Sequence, residues 1–387
     1  MQEQADSRSV PTRADAPRQA RRAQDATGGA RPLVDVVIAV HRAERPIARA
    51  VASVLTGNST PTRAIVVAHN IEPALIQQSL GEWAQDPRVL LLSHMDGIAS
   101  PAGPMNAGFD AATAEFVSLL GSDDTFEPGT IDRWVEWANA PDGPFDYVLA
   151  NRVEPDGTNA PTPPVRLNRR KHLDGVRDRL VYRMSALGLI RRTALGEQRF
   201  PEGVPTGEDI LFATRFWFGG FKVAFAFGPP GYLVHDDQKV RATTTDRPVG
   251  EDLKYLDELL APTQPWMRNK AQRRSLLVKL LRQNLPDVAI KRLTLGWDEQ
   301  SVAELAQKTR WVLSLDPGAA ACLSRNEWAL IKALSTGQSS RDQTEALVKR
   351  RSRLRSLGTI LPHRCWALFH PQGPLRYQLA GSRLARA

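Results

Sequence analysis

Between residues 34 and 120 the chain alternates four apolar, β-branched runs with three stretches of helical periodicity. The runs are 34–40, 63–68, 89–92 and 115–120. The helical stretches carry Ile47, Val51, Val54 and Leu55 on one face, then Leu75, Ile76, Leu80 and Trp83, then residues 106–114. Nearly continuous apolar strands suit a parallel sheet buried on both faces, and helices are the usual crossovers between parallel strands. The pattern predicts an α/β fold with a Rossmann-like, mostly parallel sheet of nucleotide-binding type. Such sheets bind ligands beyond the carboxyl ends of their strands. There the fourth run ends in Gly121-Ser122-Asp123-Asp124. Adjacent acids repel unless a cation or hydrogen-bond donors compensate. The pair reads either as a metal and phosphate site or as an acidic turn before the helix that Phe126-Glu127-Pro128-Gly129 opens.

The pattern is less regular from residue 145 to 239. Residues 146–151, 222–227 and 231–235 read as strands, and Pro161, Pro163 and Pro164 mark an exposed loop. Beyond Gly250 the texture is helical, as at 273–283 and 301–315. Residues 1–31 lack apolar periodicity and read as a disordered arm. The expected division is the arm 1–31, an α/β domain 32–255 and a basic helical domain 256–387.

Charge separates the last two. Residues 266–387 hold 22 Lys and Arg against 8 Asp and Glu, whereas the rest of the chain holds 29 against 34. No acid follows Glu345, while Lys349, Arg350, Arg351, Arg353 and Arg355 cluster. Such a surface attracts phosphates on an anionic membrane, a polyanion or nucleic acid. No helix-turn-helix, zinc or aromatic RNA-binding signature accompanies it. No apolar stretch approaches the roughly 18 residues of a membrane span, and no secretory signal core is present, so a cytoplasmic chain is expected. Two cysteines, Cys322 and Cys365, exclude a disulfide framework and a four-thiolate zinc site.

The first strand runs into Val40-His41-Arg42-Ala43-Glu44-Arg45, a turn without glycine, and no Gly-Lys-Ser/Thr loop occurs. This disfavours a dinucleotide-binding dehydrogenase and a P-loop NTPase. A divalent cation held by carboxylates is another way to neutralise bound phosphate.

Four elements in order resemble a family 2 glycosyltransferase with the GT-A fold. They are the strand Asp35-Val36-Val37-Ile38-Ala39-Val40-His41, the helix entrance Pro104-Met105-Asn106-Ala107-Gly108, the "DXD"-like Asp123-Asp124, and Gly207-Glu208-Asp209. The resemblance spans roughly residues 33–245 and implies an inverting, metal-dependent transferase. It would act on a nucleoside-diphosphate sugar and a glycan or lipid-linked acceptor, with Mn²⁺ or Mg²⁺ as cofactor. Asp124 and Asp123 would hold the metal, with His235 as a further ligand or a structural histidine. Val40, His41, Arg42, Glu44, His69, Asn70, Asn106 and Asp123 would contact the donor, and Lys239 and Arg241 would clamp its phosphates. Asp209 would be the catalytic base beside Glu208. The other reading makes these two acids a charge pair at a helix start.

The chain departs from the family in three places. Ala68-His69-Asn70 replaces an acidic turn that reads the base, Gly121 stands where the fullest motif has an acid, and Pro104-Met105 replaces Ala-Arg. Arg152, Arg166, Arg169, Arg170, Lys171 and Arg183 suggest a basic acceptor channel or a solvated face, and Trp134, Trp137 and Trp217 read as core. The basic helices would serve membrane association, polyanion binding or homo-oligomer formation. A nucleotidyltransferase and a catalytically inactive GT-A scaffold are the alternatives.

Overall fold

The computed structural model describes residues 31–237, 245–353 and 356–384. The expected arm, Lys239, Arg241 and Arg355 therefore lie outside the described residues, apart from Arg31 at the arm's end. The chain forms two compact units that interleave in sequence. One comprises the chain up to Thr158 with Ala186–Gly203 and Lys222–Lys239. The other comprises Asn159–Ser185, Val204–Phe221 and the chain from Val240.

The first unit is built on strands β1 (Val34–Val40), β2 (Thr62–His69), β3 (Val89–His94) and β4 (Phe116–Leu119). Helices α1 (Ile47–Leu55), α2 (Pro73–Leu80) and α3 (Ala102–Ala111) connect them. After a two-residue strand β5 (Thr125–Phe126) come α4 (Thr130–Ala138), β6 (Tyr147–Ala150), β7 (Arg152–Val153) and β8 (Gly188–Arg191). The seven-stranded sheet has the order β3-β2-β1-β4-β8-β6, closed by β9 (Val223–Ala226). Its pairings are parallel except those of β8, which runs antiparallel to both β4 and β6. β8 is the strand of this sheet that sequence periodicity misses, because Gly188-Leu189-Ile190-Arg191 is too short to show a period.

Burial on both faces explains the composition of β1 and β2. α1 supplies Ile47, Ala50, Val51, Val54 and Leu55, at helical spacing, to the core cluster that also holds Val36, Ile38 and Val66. One acid interrupts β1. Asp35 is fully buried, faces Arg63 in the β1–β2 register and accepts from its guanidinium at 2.8 and 3.0 Å. The N–H groups of Thr113 and Ala114 also donate to Asp35, at 2.7 and 2.9 Å. Trp134 is core, as expected. The path β1-β2-β3 moves outward on one side before the chain returns to β4 on the other side of β1. The carboxyl ends of β1 and β4 thus flank a topological switch point.

A small second sheet, β5-β10-β7, completes this unit, with β10 at Tyr232–Leu233. Antiparallel pairing sets Tyr232 opposite Phe126 and Leu233 opposite Thr125. That register carries Tyr232 and His235 to the residues just after β4.

The second unit is mainly helical: α5 (Glu208–Phe218), α6 (Lys270–Lys279), α7 (Leu285–Leu295), α8 (Glu299–Leu315), α9 (Arg325–Thr336), α10 (Arg341–Arg351) and α11 (Pro374–Leu384), with shorter turns between. A π-helical turn, Leu280–Asn284, joins α6 to α7. Trp217 is buried in this unit. Pro163 and Pro164 are buried too, against the expectation of an exposed loop, and the Pro164 carbonyl accepts from Arg179 at 2.8 Å.

Candidate active site

At the carboxyl end of β4 the Asp123-Asp124 pair divides into two environments. The Tyr232 hydroxyl donates to Asp124 Oδ2 at 2.6 Å, and the His235 N–H donates to Oδ1 at 3.0 Å. Burial pushes the Asp124 pKa up, the Asp123 charge adds to it, and these two hydrogen bonds offset only part of the rise. Asp123 pairs with the Arg45 guanidinium, while Arg49 donates to the Asp123 carbonyl and pairs with Asp237 at 2.6 Å. Gly121 is explained by close approach: a Cβ there would lie 2.8 Å from Asp124 Oδ2 and 3.1 Å from the Tyr232 hydroxyl. The Gly121 N–H donates to that hydroxyl at 3.0 Å. The space that a side chain at this position would enter is taken by the tyrosine–aspartate hydrogen bond.

His235 meets the pair through its backbone, and its Nε2 lies 2.9 Å from Thr125 Oγ1. Among the described residues no cluster of three His, Cys, Asp or Glu groups is arranged to hold a metal by itself. At the end of β1, burial lowers the His41 pKa, and Arg45 and Arg42 lower it further.

The ends of β2 and β3 form a polar cluster. His69 Nε2 lies 2.9 Å from Asp96 Oδ1, and His94 Nε2 lies 3.1 Å from Oδ2. Asn70, at φ 51°, donates to Asp96 Oδ1 at 3.1 Å and accepts from the Asp96 and Gly97 N–H groups at 3.1 and 2.9 Å. Partial burial of Asp96 opposes ionisation. Hydrogen bonds from the Ile98 N–H, His69 and Asn70 outweigh it and hold the carboxyl well below its usual range. The acid absent after β2 in the sequence is thus present in space, supplied after β3.

Residues 35–198 match the family model described as Glycosyl transferase family 2. The chain carries a family 2 glycosyltransferase domain. Its fold is that of GT-A enzymes. S. aureus TarS 1–349, crystallised with UDP-GlcNAc, superposes with a TM-score of 0.65 at 14% identity, covering 82% of this chain and 90% of TarS 1–349. The UDP complex of the same protein gives 0.60 over the same shares. In sequence, the succinoglycan biosynthesis protein ExoO of Rhizobium meliloti (strain 1021) is 27% identical over 256 residues, covering 62% of this chain and 69% of ExoO.

Within the first unit, the expected site residues His41, Asp123, Asp124 and His235 come together at the ends of β1 and β4. His69 and Asn70 join Asp96 at the ends of β2 and β3. Asn106 is buried and turned elsewhere: its amide accepts from the Phe200 N–H at 2.9 Å and donates to the Phe200 carbonyl at 3.0 Å and to Glu202 at 2.9 Å. Arg45, Arg49, Tyr232 and Asp96 were not marked as site residues by sequence. Arg45 lies in the glycine-free turn and was readable there, whereas Tyr232 and Asp96 depend on strand register.

The glycosyltransferase's Gly207-Glu208-Asp209 belongs to the second unit. Gly207 caps α5 at φ 81°, a left-handed conformation, and a Cβ there would lie 2.4 Å from the Tyr255 ring. Glu208 and Asp209 open the first turn. Burial raises both pKa values; Asp209 raises that of Glu208 further, and Lys279 opposes the rise at Asp209. Lys279, at the end of α6, is fully buried with no hydrogen-bond partner for Nζ. Burial pulls its pKa down to about 7 against the pull of Asp209 and Asp287.

Proposed function

We propose that this glycosyltransferase moves a sugar, with inversion, from a nucleoside-diphosphate donor to a hydroxyl of a glycan or lipid-linked acceptor during polysaccharide synthesis. The part of ExoO in succinoglycan biosynthesis and the UDP-GlcNAc complex of TarS support the choice of partners. The observation that carries the reading is Asp124, a partly buried acid at the β1/β4 switch point whose two donors leave its charge under-compensated. One or two carboxylates suit Mn²⁺ or Mg²⁺ when diphosphate oxygens and water complete the shell. Asp124 and Asp123 would hold the ion, and His235 is the third ligand to test. When bound, the cation would neutralise charge developing on the departing diphosphate.

The chain's own residues account for the rest. Arg45 steadies Asp123 and reduces its repulsion with Asp124. His41 and the His69–Asn70–Asp96 cluster would receive the nucleoside, with Val40, Arg42 and Glu44 lining the same turn. Inversion requires the acceptor oxygen to attack the anomeric carbon as the bond to the diphosphate oxygen breaks. The hydroxyl proton passes to a carboxylate, which we assign to Asp209, with Glu208 beside it. Among the described residues no helix is long and apolar enough to cross a membrane. The basic helices are proposed to bring the enzyme to the inner membrane face.

A thermal-shift panel of UDP, GDP, dTDP and CDP sugars, with and without Mn²⁺, tests the reading. A ligand at a hundredfold excess over Kd stabilises by about 2.7 kcal/mol, readily seen in a melt. One nucleotide should raise the midpoint in the presence of Mn²⁺, and by clearly less in the Asp124→Asn variant. No shift from any pair would overturn the donor assignment, and binding without turnover would point to an inactive scaffold.

A further inference from the structure

The helical unit contains a pocket of about 540 Å³ that the transfer reading does not use. Six arginines line it: Arg166, Arg170, Arg177 and Arg179 from one segment, and Arg376 and Arg383 from α11. Asp178 neutralises Arg166 at 2.6 Å. The carbonyls of Pro164 and Pro371 fix Arg179 at 2.8 and 3.0 Å without cancelling its charge. The side chains of Arg177, Arg376 and Arg383 make no hydrogen bond or ion pair among the described residues. Uncompensated like charges gathered around a concavity repel one another, and a bound anion relieves that repulsion.

The apolar part of the lining narrows the choice of anion. Leu167 and Leu379 border the same pocket and remain 61% and 50% exposed. A solvated basic face has no use for two exposed leucines beside its arginines, and a bare phosphate would leave them wet. Among the described residues no aromatic side chain lines the pocket, so they offer no stacking platform for a single-stranded nucleic acid. The volume falls within the range of about 300–1,000 Å³ typical of small-molecule sites.

We infer that this pocket binds a phosphorylated amphiphile, a terminal phosphate or diphosphate on an aliphatic chain. The arginines take the phosphate oxygens as charge-assisted forked donors. Leu167 and Leu379 cover the first methylenes of the chain. The inference stands apart from the transfer chemistry and does not require it.

Calorimetry on the full chain separates the parts of such a ligand. Farnesyl diphosphate should bind at least roughly tenfold more tightly than inorganic diphosphate, since each buried methylene adds about 0.8 kcal/mol. Reversing two charges, in Arg376→Glu with Arg383→Glu, should weaken farnesyl diphosphate roughly tenfold or more, whereas Arg268→Glu should not. Leu379→Asn should weaken farnesyl diphosphate and leave inorganic diphosphate unchanged. If the double reversal alters the melting midpoint, the Gln pair at the same positions replaces it. Equal affinity for inorganic diphosphate would reduce the pocket to a phosphate site and overturn the proposal. So would an unchanged Kd in the double variant, which would place the ligand elsewhere, at the donor site for instance. Binding to phosphatidylcholine vesicles containing phosphatidylglycerol, without binding to farnesyl diphosphate, would also sink it by revealing diffuse surface attraction.

Discussion

The sheet unit and the helical unit each bury charge in two ways. In the sheet unit Asp35 accepts from Arg63, Thr113 and Ala114, whereas Asp124, among the described residues, accepts from the Tyr232 hydroxyl and the His235 N–H alone. In the helical unit Arg282 donates to Glu327, the Tyr182 hydroxyl and the carbonyls of Cys322 and Gln372, and lies over the Tyr377 ring. Lys279, three residues earlier on the same helical run, has no hydrogen-bond partner for its Nζ among the described residues. A buried charge without its full set of partners costs stability, so a fold keeps one chiefly where function needs it. Asp35 and Arg282 hold their units together. Asp124 and the Asp209–Lys279 group are ionisable groups that the fold leaves less fully partnered than Asp35 and Arg282.

The comparison breaks most visibly at Asp209. Asp209→Asn should lower kcat about 10²–10⁴-fold while the donor-induced thermal shift persists. Transfer within a few-fold of the parent would remove the base assignment. Next come the fully bonded charges. Asp35→Ala and Arg282→Met should each cost about 3–5 kcal/mol in urea unfolding, because each strands a buried partner. A loss under 1 kcal/mol at either would end the distinction between the two kinds of buried charge.

Asp124→Asn should behave differently. Burial already disfavours its ionised form, so stability should change by no more than about 1 kcal/mol. Cation-dependent donor affinity should fall about 10–100-fold.

The smallest effect is a displacement in pH. Lys279→Met removes the cation that favours ionised Asp209, so the acid limb of kcat/KM should move to higher pH. Stability gives an independent check. With its pKa lowered to about 7, Lys279 is protonated more readily in the unfolded chain than in the fold. Its penalty is therefore full below pH 7 and fades as pH rises toward the ordinary lysine value. Unfolding measured across that window should show the parent gaining on Lys279→Met as pH rises. A constant difference would mean that Lys279 does not titrate there.

Much of the fold was legible from periodicity. β1 to β4 and the first two helices stand where apolar runs and helical faces put them, because parallel strands buried on both sides leave a near-continuous apolar signature; the third helix, Ala102–Ala111, starts four residues before the expected stretch 106–114 and ends three before its end. β8 escaped, since four residues beginning with a glycine carry no period. The Asp123-Asp124 pair and Gly207-Glu208-Asp209 were visible as local motifs, but their surroundings were not. Tyr232 reaches Asp124 from 108 residues away through the β5–β10 pairing, and nothing local to either residue announces it.

The sequence by itself determined the alternating sheet, the acids at its strand ends, the family resemblance and the separation of acidic from basic chain. Those properties follow from local composition and order. Tertiary structure alone decided which charges are satisfied, that Gly121 makes room for a tyrosine–aspartate contact, that Asp96 joins His69 and Asn70, and that six arginines share one pocket with two leucines. Each of these depends on register and helix packing, which bring together residues that the sequence keeps far apart.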